Sequence, residues 1–518
     1  MPAVSACIAG RENKNMRDTA KKSKNIFYAH ITLIILTAVV FFSACMQKSV
    51  WFDEAFTLGL IQNDFFEMIR VSVFDVHPPL YYMLLKLFTY IFGASYYSVR
   101  IFSAVGAVLL SLLGITHIKK DFGEKTGFYF SLFVLLFGGV LTYAAQMRMY
   151  TWAALFVTLA SIYAYRMIND PKSKSIRTKF ILSTVASAYT HYFALFAVCI
   201  INLLLLIDAC KEKKADSENK TKFKNWFINA AWQIGLFLPG MIVFIYQTFK
   251  FGKGWQQIVW PDLVVDFTSY HLLGTTLETV IKDPHWLQMT GAVFCLIYIA
   301  ILLLFIKTVK EKKESSRPAK YAAYAYYGLM VFVLAVSLLN VIYHVRYTIV
   351  IIGLLIFMTA WLLAHLDKKS LKAILLVFFC LVFCLQSVGF YKKVYDPSGN
   401  AVEEYLSDKL EEGDIFVFDR FEDFAVTVNY PENEAYYYHA ENWDAKAYIA
   451  FQKNSHIIKD IENCSEIKDR KGRVWVLGYG KAYDYIVNTL HAKVLREDNI
   501  DVLYAGRTYR FTLADLNG

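Results

Sequence analysis

"PPLYYMLLKLFTYIFG", residues 78–93, is apolar enough to pass for a membrane span, and whether it crosses decides the topology of everything after it. Crossing the ~30 Å hydrocarbon core as a helix takes roughly 20 residues. This stretch is shorter and carries Lys86 in its middle. The basic connectors farther along supply an independent test, because Lys and Arg in short loops mark the cytoplasmic face. If 78–93 crosses, the connectors holding Lys119, Lys120 and Lys125, then Lys211 to Lys224, then Lys307 to Arg317, all fall outside. If it lies in the outer interface as a helix, they all fall inside. The second reading predicts a cytoplasmic N-terminus, eleven spans, and a C-terminus on the outer side.

Outward from that stretch, the apolar residues gather in runs of membrane-crossing length. The 518 residues are 56% hydrophobic and 19% charged, with a mean hydropathy of +0.36. Spans are predicted at 26–46, 98–118, 126–145, 150–168, 178–190, 192–210, 226–248, 286–307, 320–342, 346–364 and 371–391. The first outer loop, about 47–97, should hold two interfacial helices. A net charge of +10 could point to nucleic acid, but the basic residues sit in the connectors, without an aromatic-interleaved basic face. The charge is a topology signal, and nucleic acid is not an expected partner.

The two ends read differently. Residues 1–25 form a polar cytoplasmic arm, with Met16 an alternative start, and 26–392 form the membrane domain. Residues 393–518 read as a small extracytoplasmic α/β domain: "NAVEEYLSDKLEEGDIFVFD" as helix, turn at Gly413 and strand, and "IDVLYAGRTYRFTL" as a closing strand pair. "GYGKA", 478–482, lacks the remaining glycines of a phosphate loop and reads as a turn. Of eight cysteines only Cys464 falls in the outer domain, so no internal disulfide is expected there.

"SVWFDEAFTLGL", 49–60, places adjacent carboxylates, Asp53 and Glu54, just after the first span. Asp75 and His77 precede the Pro78-Pro79 pair, which suits a helix's first turn. Arg100 stands at the mouth of the next span. Arg148 and Tyr150 occupy one outer turn, His191 a second, and His344 and Arg346 a third. On the predicted topology all of these face one side, joining a base to phosphate-binding cations. Singly each has a bland reading: a solvated acid, an interfacial histidine, an arginine snorkelling to headgroups. Trp255 and Trp260, in the long segment 251–274, suit sugar stacking as well as an interfacial aromatic belt.

"FDEAFTLGL", "HPPLYYMLLKLF" and the Arg100-to-Ser103 "RIFS" together resemble the polyprenyl-phosphate-dependent membrane glycosyltransferases of the GT-C fold. That group includes protein O-mannosyltransferases and lipid A aminoarabinose transferases, and is glycosyltransferase family 39-like. The resemblance covers about residues 26–365. It implies an inverting transferase that moves a hexosyl or pentosyl group from a polyprenyl-phosphate donor to an extracytoplasmic acceptor, whether protein, lipid or cell-envelope glycan. It makes Asp53 the general base and gives Glu54 an orienting role beside it. Arg346, Arg100, Arg148 and His344 become candidates for holding the donor phosphate. No cofactor is firmly implied; a divalent cation bridging Asp53 or His77 to phosphate stays open.

Two other classes compete. A transporter or flippase for a polyprenyl-linked glycan would place ionisable groups near helix midpoints, where these spans are largely apolar. A non-enzymatic scaffold displaying the outer domain would not need the Asp53, His77 and Arg100 constellation. The residues do not name the sugar, the acceptor or the polyprenol.

Overall fold

The computed structural model describes residues 24–212, 217–251, 260–439 and 455–517. The N-terminal arm is largely outside that range, as are Met16 and Trp255; of Trp260 only the backbone is described. The chain is mostly helical, with a small sheet near its C-terminus.

Among the described residues, nine helices are long and apolar enough to cross a membrane. We label as α1 Lys24–Ser43, and as α2 to α4 the non-spanning Phe52–Gln62, Phe65–Ser72 and Leu80–Phe92. Then come α5 (Tyr96–Phe122), α6 (Glu124–Leu136), α7 (Gly138–Ala144), α8 (Tyr150–Asn169), α9 (Lys174–Thr190), α10 (Tyr192–Glu212) and α11 (Ser217–Phe251). The rest are α12 (Trp260–Leu273), α13 (Pro284–Glu311), α14 (Arg317–Ser337), α15 (Val345–His365) and α16 (Lys369–Val394).

The pair α6 and α7 passes the same test together, bent by 62°, and would be a tenth span. The bend falls at Phe137, whose backbone is extended, before Gly138 and Gly139. A Cβ on either glycine would meet a carbonyl of α12, at 2.5 Å from Leu272 and 2.9 Å from His271. Close approach of α12 therefore requires glycine at the break. The difference from the eleven expected spans is α9. It has 17 residues and opens with Lys174, Arg177 and Lys179, so it falls short of the test by length and composition.

The two helices expected in the first outer loop are α2 and α4, joined by the short α3. Helix α4 is apolar but too short to count as a span, as residues 78–93 predicted. Pro79 caps its start, and Gly93 ends it at φ +76, a conformation that costs glycine little. Helix α2 is buried from Glu54 to Ile61.

The sheet contains β1 (Ile415–Phe418), β2 (Ala435–Tyr438), β3 (Ser455–Ile458), β4 (Arg473–Leu477), β5 (Lys493–Val502) and β6 (Arg507–Asp515). Their order is β3-β2-β1-β4-β6-β5. The first four are parallel, and β6 runs antiparallel to both β4 and β5. Strand β1 is buried throughout, as the centre of a sheet covered on both faces requires. One face packs on Ile467, Tyr485 and Ile486. The other shares a core with the first-loop helices, where Phe418, Trp475 and Phe511 join Phe56, Met68 and Tyr81 in one cluster. The sheet is thus built onto the elements that carry Asp53.

Candidate active site

Asp53 is the second residue of α2, where a carboxylate meets the positive end of the helix dipole. Its Oδ2 accepts a hydrogen bond from Arg346 Nη1 at 2.8 Å, with the two side chains 14% and 17% exposed. Arg346 lies in the 3-10 turn that opens α15, capped by His344, whose Nδ1 accepts from the Arg346 N–H at 3.3 Å. The Arg346 guanidinium stands 5.4 Å from the Tyr347 ring centre and 5.8 Å from that of Trp51. A cation over aromatic faces is further stabilised by their quadrupoles.

Arg148, in the turn between α7 and α8, donates to the Asp53 backbone carbonyl at 3.3 Å. Its other terminal nitrogen lies 3.3 Å from His77 Nε2. His77 Nδ1 is 3.1 Å from Asp75 Oδ2. The His191 ring sits 5.6 Å from His77, 5.5 Å from Tyr150 and 5.2 Å from Tyr347. Asp53, Asp75, His77, Arg148, Tyr150, His191, His344 and Arg346 therefore form one cluster, drawn from separate turns at one end of the helix bundle.

The electrostatics follow from burial and charge. Burial works to raise the Asp53 pKa, but the charges of Arg346 and Arg148 override it and hold the carboxyl below its usual value. Burial lowers His77, opposed in part by Asp75, and pushes His191 well below the usual imidazole value. Burial, helped by Arg346, takes His344 down to about 3. At neutral pH the site holds an ionised Asp53, two guanidinium groups and neutral imidazoles.

Five polar atoms in this cluster are buried without a hydrogen-bond partner among the described residues: Arg346 Nε, Arg148 Nε, Trp51 Nε1, the Tyr150 hydroxyl and His191 Nε2. Leaving a buried polar group unsatisfied costs ~1–3 kcal/mol. Such a concentration suits a ligand rich in acceptor oxygens, placed beside a carboxylate. Among the described residues no group of three or more His, Cys, Asp or Glu side chains could hold a metal ion.

Glu54 behaves differently from its neighbour. It is fully buried and takes both arms of Arg100, Nε to Oε1 at 2.9 Å and Nη2 to Oε2 at 2.7 Å. It also accepts from the backbone N–H of Met147 at 3.2 Å and of Trp51 at 3.5 Å. Arg100 further donates to the carbonyls of Gln47 and Ser49. The expectation for Arg100 was a donor-phosphate contact. In the structure its guanidinium is fully enclosed and directed at Glu54 and backbone.

Sequence reasoning missed Tyr504. It sits at the tip of the β5–β6 hairpin, its ring centre 5.2 Å from the Arg100 guanidinium. Nothing local marks it, since tyrosine in a hairpin turn is an ordinary exposed residue.

Over 94% of its length the chain superposes on 97% of ArnT from Cupriavidus metallidurans in the apo state, with TM-score 0.65 and 11% identity. The chain has the GT-C fold. It superposes on the same ArnT bound to undecaprenyl phosphate with TM-score 0.60, the same coverage of both chains, and 11% identity. Residues 76–221 match the family described as dolichyl-phosphate-mannose-protein mannosyltransferase. No curated protein matches the chain by sequence. The family match begins beside His77 and takes in α4 to α10 of the GT-C bundle, with Arg100, Arg148, Tyr150 and His191.

Proposed function

We propose that the chain is an inverting glycosyltransferase that moves a sugar from a polyprenyl-phosphate donor to an acceptor hydroxyl outside the cytoplasm. The observation that carries this reading is the Asp53–Arg346 pair, ringed by buried donors without partners. ArnT, whose fold the chain shares, binds undecaprenyl phosphate in one structure, which supports the donor class. In this reading residues 26–392 are the transferase unit, the N-terminus is cytoplasmic, and 393–518 lie outside.

The chemistry divides between the two sides of Asp53. The acceptor oxygen attacks the anomeric carbon from the face opposite the phosphate. The new C–O bond forms as the bond to phosphate breaks, and that bond's electron pair leaves on the phosphate oxygen. Asp53 receives the acceptor's proton. A carboxylate held below its usual pKa is a weak base toward an alcohol, and becomes effective only as the attacking oxygen turns acidic in the transition state. Its placement therefore matters more than its basicity. Arg346 and Arg148 stabilise the leaving phosphate through charge-assisted hydrogen bonds, which strengthen as negative charge develops there. The Asp53–Arg346 contact holds both groups ready and leaves Arg346 Nε for donor phosphate.

The test is transfer from a polyprenyl-phosphate sugar by the Asp53→Asn protein. Loss of transfer with polyprenyl-phosphate binding retained is expected, and transfer at the wild-type rate would remove Asp53 from the mechanism.

A further inference from the structure

The turn "GYGKA", 478–482, borders a crevice in the C-terminal domain that the site above does not use. Strands β1 and β4 are parallel neighbours, and the chain leaves them in opposite directions. From β1 it continues to β2 and β3 on one side; from β4 it continues to β5 and β6 on the other. Where two such connections diverge, a crevice opens at the carboxyl ends of the strands, and ligands of open α/β sheets bind there. Asp419 and Arg420 follow β1, Tyr479 and Gly480 follow β4, and Asn499 and Arg510 come from the β5–β6 hairpin. Together they line a cavity of about 580 Å³. Small-molecule sites span roughly 300–1,000 Å³.

The lining disfavours an anion. A helix that follows such a turn commonly receives phosphate at its first N–H groups. Here Asp419 Oδ2 already accepts from the Ala482 N–H at 3.3 Å. Gly480 lets that carboxylate come close, because a Cβ there would run into it. Both arginines also carry a counter-charge. Arg420 donates to Asp423 at 3.1 and 2.9 Å, and Arg510 donates to Glu497 at 2.8 Å. What is left over is a mixed set of donors and acceptors. Among the described residues the Asn499 amide and the Tyr479 hydroxyl make no hydrogen bond, and Arg510 keeps Nε and Nη1. Arg510 lies over the Tyr479 ring, which stays 57% exposed. Sugar hydroxyls both donate and accept, and sugar C–H faces suit an aromatic ring.

We infer that this crevice binds an uncharged carbohydrate, and that the sugar held there belongs to the acceptor of the proposed transfer. Arg420 lines the crevice, and the next residue, Phe421, packs edge-on against Phe52 at 4.6 Å. Phe52 in turn precedes Asp53. Arg507, from the same hairpin as Asn499 and Arg510, pairs with Glu422 at 2.9 Å and fastens this segment. One ring contact therefore links the wall of the crevice to the helical turn of the proposed base. Holding an acceptor beside its base is how an enzyme turns a bimolecular encounter into an oriented one. The acceptor role rests on the transferase reading above; the carbohydrate site does not.

The test uses the full chain in lipid nanodiscs, where no sugar-headed detergent competes. Neutral trisaccharides of gluco, galacto, manno and N-acetylgluco configuration are titrated calorimetrically up to tens of millimolar. At least one should bind, Tyr479→Ala and Asn499→Ala should each weaken it by about tenfold, and inorganic phosphate should not displace it. Both side chains are exposed, so neither change threatens the fold. Binding by none of the trisaccharides, binding unchanged in both variants, or displacement by phosphate overturns the site. The trisaccharide that binds is then incubated with the wild-type chain and polyprenyl-phosphate sugars extracted from cell membranes. Mass spectrometry should find it enlarged by one sugar. Donor consumed without that product overturns the acceptor role. Donor left intact beside bound trisaccharide instead overturns the transferase reading, and the carbohydrate site stands.

Discussion

Asp53 and Glu54 are neighbours on one helical turn, each paired with an arginine, yet the two pairs are built for opposite purposes. Glu54 and Arg100 are both 0% exposed, joined by two hydrogen bonds, and surrounded by further donors and carbonyls. Asp53 and Arg346 are joined through a single guanidinium arm, remain partly exposed, and adjoin polar atoms without partners among the described residues. A satisfied pair has nothing to offer a ligand and serves to hold structure. An under-satisfied pair is costly at rest and gains when a ligand arrives. A difference of one residue in position along α2 thus separates a closed ion pair from one with capacity left for a ligand.

The largest effect should come from breaking the anchor. Glu54→Ala leaves Arg100 buried without its counter-charge, a loss of ~3–5 kcal/mol. Little folded protein should accumulate, as judged by size-exclusion chromatography and thermal unfolding in detergent. A Glu54→Ala protein with wild-type stability and activity would erase the contrast between the two pairs. Breaking the reaction centre should do the reverse. Asp53→Asn should lower transfer by ~10²–10⁴-fold, the range for a general base, with the unfolding midpoint displaced by far less than in Glu54→Ala.

A finer test separates charge from geometry at Arg346. A planar guanidinium can hold Asp53 with one arm and phosphate with another, which the compact ammonium of lysine cannot reproduce. Arg346→Lys should lose ~1.5–3 kcal/mol of donor or transition-state interaction, roughly one to two orders of magnitude. Full activity in the lysine protein would reduce Arg346 to a snorkelling cation.

The smallest effect concerns pH. His344 is held at about 3 when folded, against 6.5 for a free side chain. The unfolded chain therefore takes up a proton that the folded chain refuses. The stability is fully present above 6.5 and lost progressively as pH falls from 6.5 toward about 3, by at most ~1.4 kcal/mol per pH unit for one group. His77 and His191, also lowered by burial, add in the same direction. The unfolding midpoint should drop between pH 7 and pH 5, and His344→Gln should flatten that drop. An identical slope in the variant would mean that other groups control it.

Much of the fold is legible along the chain. The apolar runs locate the spans because hydrocarbon demands a nearly continuous stretch of apolar residues. Lys86 and the short length of 78–93 exclude a crossing for a reason written in that segment alone. The turns carrying Asp53, His77, Arg148, His191 and Arg346 could be placed on one face from the basic connectors. The count of spans was less legible at α9, whose 17 residues open with Lys174, Arg177 and Lys179 and so weaken the hydropathy signal.

By itself, then, the sequence determined that this is a multi-pass helical chain with a small α/β domain and a set of charged groups at one end, since hydropathy and charge act over a few neighbouring residues. Only the tertiary structure decided who pairs with whom. Arg346 reaches Asp53 across 293 positions, Arg100 reaches Glu54 across 46, and Tyr504 arrives from a hairpin at the far end of the chain. Such partners are chosen by how helices pack and how completely each buried charge must be hydrogen-bonded, and neither requirement leaves a mark within any one stretch of residues.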